Sequence, residues 1–177
     1  MRLSLWLLIA TMGLLSACVT VRSSTAPGAN LGAYHTFAFA QPTDPSVARL
    51  ERSPQGQTIR NEIARNLNAK GIAEAPPGQP PDFLVSYHVV LRQQLDVTDW
   101  GWGWWGTWGG ADVYTYTVGT IIVDFVDPRT NEVFWRGSAS RDVDQPENPD
   151  LGNVASAVDK LMRKYPSQMA SAGAHPG

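Results

Sequence analysis

The sequence predicts an α+β fold, in which an antiparallel β-sheet of about four strands carries two helices on one face as a two-layer sandwich. Two segments repeat apolar residues at helical spacing, and several others alternate apolar and polar residues as strands do. These segments follow one another as strand, helix, three strands and helix, an order typical of α+β domains. The length of 177 residues fits one domain with tails.

The composition excludes several classes of protein. Hydrophobic residues make up 43% of the chain and charged residues 17%, which excludes a wholly disordered chain. The formal net charge of −2 gives no basic surface for a nucleic acid, so we expect no nucleic-acid partner. The single cysteine excludes an intrachain disulfide framework.

Residues 1–17 have the pattern of a lipoprotein signal peptide. Arg2 precedes an apolar run over 3–15, which as a helix would be about 20 Å long and too short for a hydrocarbon core of about 30 Å. The run ends in Leu15-Ser16-Ala17-Cys18, which resembles a bacterial lipobox. The resemblance implies cleavage before Cys18 and attachment of acyl chains, palmitate among them, that anchor the protein in a membrane. The alternative is an ordinary signal peptide, or a buried thiol, with an incidental Cys18.

The segments around the domain complete this organisation. Val19 follows the cysteine where an Asp would retain an enterobacterial lipoprotein at the inner membrane, which favours the outer membrane and a domain facing the periplasm. Residues 18–32 are rich in Ser, Thr, Ala, Gly and Pro and predict a flexible tether. We expect the α+β domain over 33–166 and a disordered tail over 167–177.

The first half of the domain predicts one strand and one helix. Residues 33–40 alternate as a strand does, and Pro42 and Pro45 end it. Residues 53–70 predict a helix that Ser53 caps and that Gly71 ends. Its apolar stripe consists of Ile59, Ile63 and Leu67.

The second half predicts three strands and a helix. Residues 82–97 form a long strand with one better core face, made of Phe83, Val85, Tyr87, Val89 and Leu91. Residues 114–127 form a strand central in the sheet, and residues 132–140 pair with it as a hairpin whose one face carries Val133, Trp135, Gly137 and Ala139. Residues 148–165 form the second helix, which Pro166 ends.

Several motifs between 34 and 166 resemble a known family. They are Tyr34-His35-Thr36-Phe37-Ala38-Phe39, Lys70-Gly71-Ile72, Pro81-Asp82-Phe83-Leu84-Val85-Ser86-Tyr87, the block from Gly119 to Asp127, the Val133 to Ala139 segment with its Trp-Arg-Gly, and the closing Tyr165-Pro166. Together they resemble bacterial lipoproteins of the domain-of-unknown-function family forty-one thirty-six. The resemblance implies a periplasm-facing lipoprotein domain with an α+β fold. It implies no catalytic residues.

A Trp- and Gly-rich hairpin extension over 99–112 joins two of the predicted strands. It holds five of the seven tryptophans: Trp100, Trp102, Trp104, Trp105 and Trp108. In one interpretation these rings fill a small core beside the sheet. In a second they form a binding surface for a protein or a glycan. In a third they dip into the membrane interface, where Trp is favoured.

Other polar residues give weaker signals. Asp124, Asp127, Asp142 and Asp144 lack the order of a calcium loop, and Asp124 can pair with Arg136 instead. His35, His88 and His175 are scattered, and no serine lies in a nucleophile elbow. We therefore expect no catalytic residue, no metal and no cofactor.

These patterns predict a lipid-anchored protein of the bacterial cell envelope that acts by binding or scaffolding and is not an enzyme. The expected partners are the membrane, through the anchor, and an envelope protein or glycan. The alternative is a glycan-binding accessory protein or hydrolase that uses the Trp-rich hairpin. A concave pocket in which Asp124, Asp127 or His88 converge would favour that alternative.

Overall fold

The computed structural model describes residues 19–98, 112–146 and 148–166. They form an α+β domain, which confirms the predicted class. In chain order its elements are β1 (Thr20–Thr25), a 3-10 turn (Leu31–Ala33), β2 (Thr36–Phe39), α1 (Pro45–Arg52), α2 (Pro54–Ala69), β3 (Ala73–Glu74), β4 (Phe83–Thr98), β5 (Asp112–Val126), β6 (Val133–Asp142) and α3 (Leu151–Met162).

The sheet is larger and more mixed than the sequence predicts. Its six strands lie in the order β1-β6-β5-β4-β2-β3, so β5 lies in the interior as predicted. The expectation of about four antiparallel strands is wrong, because β2 runs parallel to both β4 and β3. The chain leaves β2 through helices α1 and α2 before it returns to the sheet, and such a crossover produces parallel pairing.

The prediction of a flexible tether over 18–32 is wrong for residues 20–25, which form a strand. Residues Thr20–Thr25 form β1, which pairs antiparallel with β6 from Thr20 opposite Ser140 to Thr25 opposite Trp135. The Ser and Thr content suggested a tether, but backbone hydrogen bonds do not require apolar side chains. Val21, which is partly buried against the core, contributes the packing.

The structure has three α-helices where the sequence predicts two. Helix α1 begins directly after Asp44, whose carboxylate accepts a hydrogen bond from the backbone N–H of Ser46, and Pro45 occupies its first turn. Pro45 therefore begins a helix instead of only ending the preceding strand. The helix is short and has no fully buried residue, which explains its weak apolar pattern.

Both predicted helices are present, α2 with its predicted Ser53 cap and α3 within the predicted range as Leu151–Met162. Ser53 accepts a hydrogen bond from the backbone N–H of Gly56 at the start of α2, and Gly71 follows the helix with a φ of 83°. Asp150 caps α3 by accepting a hydrogen bond from the N–H of Asn153. These caps use N–H groups that have no partner inside the helix.

A β-bulge shapes the core where β5 meets β6. Phe125 pairs with Trp135 but Val126 pairs with Val133, so Phe134 is an extra residue in β6. Phe134 and Trp135 are both buried, whereas Val133 is 39% exposed, so the predicted shared face of Val133 and Trp135 is wrong. The two aromatic rings join one core cluster with β2, β4, α2 and α3 that includes Phe37, Phe83, Ile59, Ile63, Leu67, Val158 and Leu161.

Strands β4 and β5 form the predicted hairpin and pair continuously from Leu84–Val126 to Thr98–Asp112. The tryptophans of the Trp-rich segment lie outside the described residues, as do the signal peptide with Cys18 and the predicted tail over 167–177. Within the described ranges, no helix has the length and apolar character needed to cross a membrane.

Candidate functional site: a cleft between the helices and strands β4 to β6

A cleft of about 660 Å³ separates the helices from one end of strands β4, β5 and β6. This volume lies within the range of about 300–1,000 Å³ that is common for small-molecule sites. The floor is made by the sheet and the walls by α1, α2 and α3, with apolar side chains that include Leu50, Ile59, Val89, Leu91, Ile121 and Val154. We call this site the β4–β6 cleft.

The cleft forms where the side chains of the sheet become small. Nearer the middle of the sheet, the row Tyr87–Val123–Gly137 is closed, because the space above Gly137 is filled by Trp135 and Leu161. The next two cross-strand rows are Val89–Ile121–Ala139 and Leu91–Gly119–Arg141. Alanine and glycine in these rows leave a hollow between sheet and helices that no larger side chain fills.

Exposure along β4 shows the direction in which the cleft opens. Tyr87 is 2% exposed, Val89 is 36% exposed and Leu91 is 52% exposed, although all three point to the same face. Gly119 lies opposite Leu91, and a Cβ there would approach Leu91 Cδ2 to 3.6 Å and Val143 Cγ2 to 2.7 Å. The cleft therefore opens towards the ends of the strands from which the Trp-rich segment continues.

Arg141 is the one cationic side chain among the described residues that line the cleft. Strand alternation puts it on the face of Ala139 and puts Asp142 on the opposite face. Arg141 is half-buried, and no ion pair joins it to another residue that the structure describes. Asp150, which also lines the cleft, already accepts a hydrogen bond as the cap of α3.

Three helix N-termini contribute to the electrostatics of the cleft. Its lining includes Ser46 from the first turn of α1, Gln55 from that of α2 and Asn153 from that of α3. The N-terminal end of a helix carries partial positive charge from its aligned peptide dipoles. This field and Arg141 attract an anionic group, and the carboxylates of Asp142, Asp144 and Asp150 in the same lining oppose that attraction.

Of the acidic residues singled out in the sequence, Asp142 and Asp144 line this cleft, whereas Asp124 and Asp127 do not. Asp124 is held by Arg136 on the opposite face of β5, and Asp127 forms a turn with Arg129. His88 contributes to the cleft lining without either of them. Across the parts of the chain that the structure describes, no three His, Cys, Asp or Glu side chains lie together as metal ligands.

Sequence reasoning missed the residues that make the cleft. The sequence analysis assigned Gly119 and Ala139 to strands but to no cleft, because only the register between β4, β5 and β6 puts them in adjacent rows. The predicted core face of β4 contained the one sequence signal for the cleft. Its apolar residues continue with Val89 and Leu91 beyond Tyr87, the last buried residue of that face. Nothing in the sequence indicated that the helices end before these residues.

Asp82 has a structural role that the sequence indicated only by its place in the Pro81-Asp82 motif. Its carboxylate accepts hydrogen bonds from the backbone N–H groups of His35 at 2.8 Å and Thr36 at 2.9 Å. These hydrogen bonds lower the pKa of Asp82 and fasten the start of β2 beside β4. The Pro-Asp motif therefore serves the parallel pairing of β2 and β4.

The fold and the cleft define a class: an α+β domain with a six-stranded mixed sheet and an apolar cleft under its helices. The chain belongs to the DUF4136 family, described as a domain of unknown function, whose model matches residues 21–167. No curated protein matches the chain.

Three solved structures are similar to this chain. A PDZ domain protein from Parabacteroides distasonis has a TM-score of 0.57 at 15% identity, covering 84% of this chain and 36% of that one. A DUF4136 family protein from Bacteroides thetaiotaomicron has a TM-score of 0.50 at 16% identity, covering 85% and 97%. A minor lipoprotein from Acinetobacter baumannii has a TM-score of 0.40 at 14% identity, covering 78% and 94%. This chain thus spans about a third of the first protein's length, and at these identities the likeness to the first two structures concerns the fold alone.

Proposed function

We propose that this protein is a lipid-anchored protein of the bacterial cell envelope that binds a ligand in the β4–β6 cleft and catalyses no reaction. The acylated Cys18 holds it on the outer membrane with its domain in the periplasm. The observation that carries the binding role is the cleft itself, a largely apolar hollow of about 660 Å³ whose described lining also holds Arg141, Asp142, Asp144 and Asp150. A cleft of this size and lining suits a ligand that is largely apolar.

The anchor is supported by the lipobox and by the position of the domain in the chain. The family match begins at residue 21, three residues after Cys18, so cleavage before Cys18 leaves the whole family domain intact. A single acyl chain gives only marginal membrane binding, whereas the several chains of a bacterial lipoprotein give stable anchoring. The anchor then holds the domain at the membrane surface.

The anchor is tested by replacing Cys18→Ser in the full-length protein. We expect loss of radiolabelled palmitate and release of the protein from the membrane fraction, because no thiol remains to accept the lipid. A Ser16→Thr variant, which keeps the cysteine, is the control and should stay acylated. Continued palmitate labelling and membrane fractionation of Cys18→Ser would show that the anchor lies elsewhere.

The binding role is tested by filling the cleft. Val89→Trp introduces a large side chain into the hollow, and Val90→Trp introduces the same side chain on the opposite face of β4. We expect native mass spectrometry of the purified protein to detect a bound small molecule in the wild type and in Val90→Trp but not in Val89→Trp. Equal occupancy in both variants, or none in the wild type, would contradict a ligand in the cleft.

The Trp-rich segment supports a second candidate function. Five tryptophans within nine residues offer aromatic faces that stack on sugar rings, as in a glycan-binding accessory protein or hydrolase. Binding of the purified protein to envelope glycan that is lost when the five tryptophans become alanine, with Val89→Trp unaffected, would favour this candidate over the cleft.

A further inference from the structure

We propose that the ligand of the β4–β6 cleft is a phospholipid drawn from the membrane that anchors the protein, with an acyl chain along the aliphatic lining and its phosphate at Arg141. This inference rests on the proposed lipid anchor at Cys18. It adds the chemical class of the ligand and the side of the domain from which the ligand enters.

The position of β1 determines which end of the domain lies nearest the anchor. Thr20 begins β1 and pairs with Ser140, so Cys18 precedes an ordered strand by only two residues. Two residues of extended chain span at most about 7 Å. With β1 in place of a tether, the anchored end of the sheet cannot move far from the bilayer surface.

The cleft lies at this anchored end. Thr20 pairs with Ser140, and the neighbouring residues Ala139 and Arg141 line the cleft. Ser140 also pairs with Thr120, and Thr120 pairs with Val90, so Thr20 and Val90 lie at the same level of the sheet. The exposed Val89 and Leu91 flank Val90 and therefore lie at this end as well. The mouth of the cleft and the lipid attachment point therefore share one side of the domain.

The β4–β5 hairpin extends this side further. From the Val90–Thr120 pair to the Thr98–Asp112 pair, the two strands continue for eight residues beyond the level of Thr20. At about 3.4 Å per residue this ribbon is about 27 Å long. It continues from the cleft mouth on the side of the domain that carries the anchor.

The lining of the cleft fits both parts of a phospholipid. The walls and floor offer aliphatic side chains for a hydrocarbon chain, which would otherwise be exposed to water. Arg141 is the cation on the cleft face, and a guanidinium binds phosphate through paired, charge-assisted hydrogen bonds. Three carboxylates also belong to the lining: Asp142, whose strand position is on the opposite face, Asp150, which caps α3, and the exposed Asp144. The three helix N-termini add to the attraction for phosphate.

The test is photocrosslinking of the full-length protein in cells grown with radioactive orthophosphate. Benzoylphenylalanine replaces Val89 in the cleft, and in a matched control it replaces Val90 on the opposite face. We expect a phosphorus-labelled adduct from position 89 and background labelling from position 90. The pair Leu91 and Arg92, which also lie on opposite faces, repeats the comparison if the first substitution impairs folding.

Charge variants test the role of Arg141. In the position 89 protein, Arg141→Ala should lower the phosphorus-labelled adduct at least about tenfold, because the phosphate loses the paired charge-assisted hydrogen bonds of the guanidinium. Arg92→Ala removes the same charge from the other face of the sheet and should leave the adduct unchanged. Equal effects of the two variants would overturn the assignment of the phosphate to Arg141.

Membrane fractionation of the same cells separates this inference from the proposed function. A protein that is acylated and membrane-bound, with no phosphorus in the position 89 adduct, would overturn the phospholipid assignment and leave the anchor intact. An adduct with the mass of the protein's own Cys18 lipid, which contains no phosphate, would overturn it in the same way. A protein that is released from the membrane would contradict the proposed anchor as well.

Discussion

Arg136 on β6 holds Asp124 on β5 through two parallel hydrogen bonds, from Nε to Oδ1 at 2.6 Å and from Nη2 to Oδ2 at 2.8 Å. The two residues are direct cross-strand partners, as the sequence suggested. Asp124 is only 5% exposed, although it lies on the face of the sheet opposite the helices. The guanidinium covers the carboxylate. Hydrogen bonding to Asp124 in turn raises the pKa of Arg136.

Replacing Arg136→Met should destabilise the domain, because Asp124 would keep a buried charge without its partner. We expect a loss of about 1.5–3 kcal/mol in the free energy of unfolding, measured by urea denaturation. Arg129→Ala is the control: its arginine side chain is 82% exposed where it pairs with Asp127, so the loss should be clearly smaller. Equal losses in the two variants would show that burial of Asp124 does not matter.

Two buried tyrosines should make the domain sensitive to alkali. Burial raises the pKa of Tyr87 and of Tyr165 to about 12, from an ordinary value of 10.0. Because the folded state retains the hydroxyl protons more tightly than the unfolded chain, the stability they contribute is fully present below pH 10 and is lost as the pH rises towards 12. Urea denaturation between pH 9 and pH 12 should show this decline, and the Tyr87→Phe, Tyr165→Phe double variant should flatten it.

The same tyrosines should differ at neutral pH. Tyr87 donates a hydrogen bond from its hydroxyl to the backbone carbonyl of Gly56 at 3.2 Å, so Tyr87→Phe should cost about 0.5–1.5 kcal/mol. The hydroxyl of Tyr165 is buried with no hydrogen-bond partner among the residues described, so Tyr165→Phe should be neutral or stabilising. A larger loss for Tyr165→Phe in thermal melts would contradict this difference.

Two glycines should tolerate alanine poorly, to different degrees. A Cβ at Gly56 would lie 2.0 Å from the carbonyl oxygen of Leu50, where α1 meets α2. A Cβ at Gly137 would lie 2.5 Å from Trp135 and 2.6 Å from Leu161, both side chains. Since backbone moves less easily than side chains, Gly56→Ala should lower stability more than Gly137→Ala, which we expect to cost about 1–3 kcal/mol. The opposite order in chemical denaturation would refute this explanation.

The Trp-rich segment gives a test of its three interpretations. Truncating a tryptophan that fills a core costs about 3–5 kcal/mol, whereas truncating an exposed one costs within about 0.5 kcal/mol. The smaller change at every one of Trp100, Trp102, Trp104, Trp105 and Trp108 would reject the core interpretation and leave a binding surface or a membrane contact. Thermal melts of the five Trp→Ala variants measure the change, and Trp135→Ala in the buried core provides the comparison.

The parts of the fold with strong local signals were predictable from the sequence. Helix α2 has both a capping serine and a regular apolar stripe, and β4 has a long alternating face. Strand β1 lacked such a signal, because its residues gain order from pairing with β6 and not from their own composition. Helix α1 was missed because Pro45 marks helix starts as well as strand ends.

The cleft was not predictable for a different reason. It depends on which residues of three strands lie side by side, and the bulge at Phe134 shifts that register by one residue. Nothing distinguishes Gly119 and Ala139 from other small residues in the sequence. Strand pairing places both of them in the floor of the cleft. The parallel contact of β2 with β4 likewise depends on Asp82 bonding to backbone groups 46 and 47 residues away.

The measurement that tests the central claim most directly is the intact mass of the native protein after purification from membranes. A lipid-anchored protein should begin at Cys18 and carry the added mass of a diacylglyceryl group and an amide-linked acyl chain, and the Cys18→Ser protein should lack that mass. A mature protein with an unmodified Cys18 thiol, or one cut at another bond, would contradict both the anchor and the membrane-facing cleft.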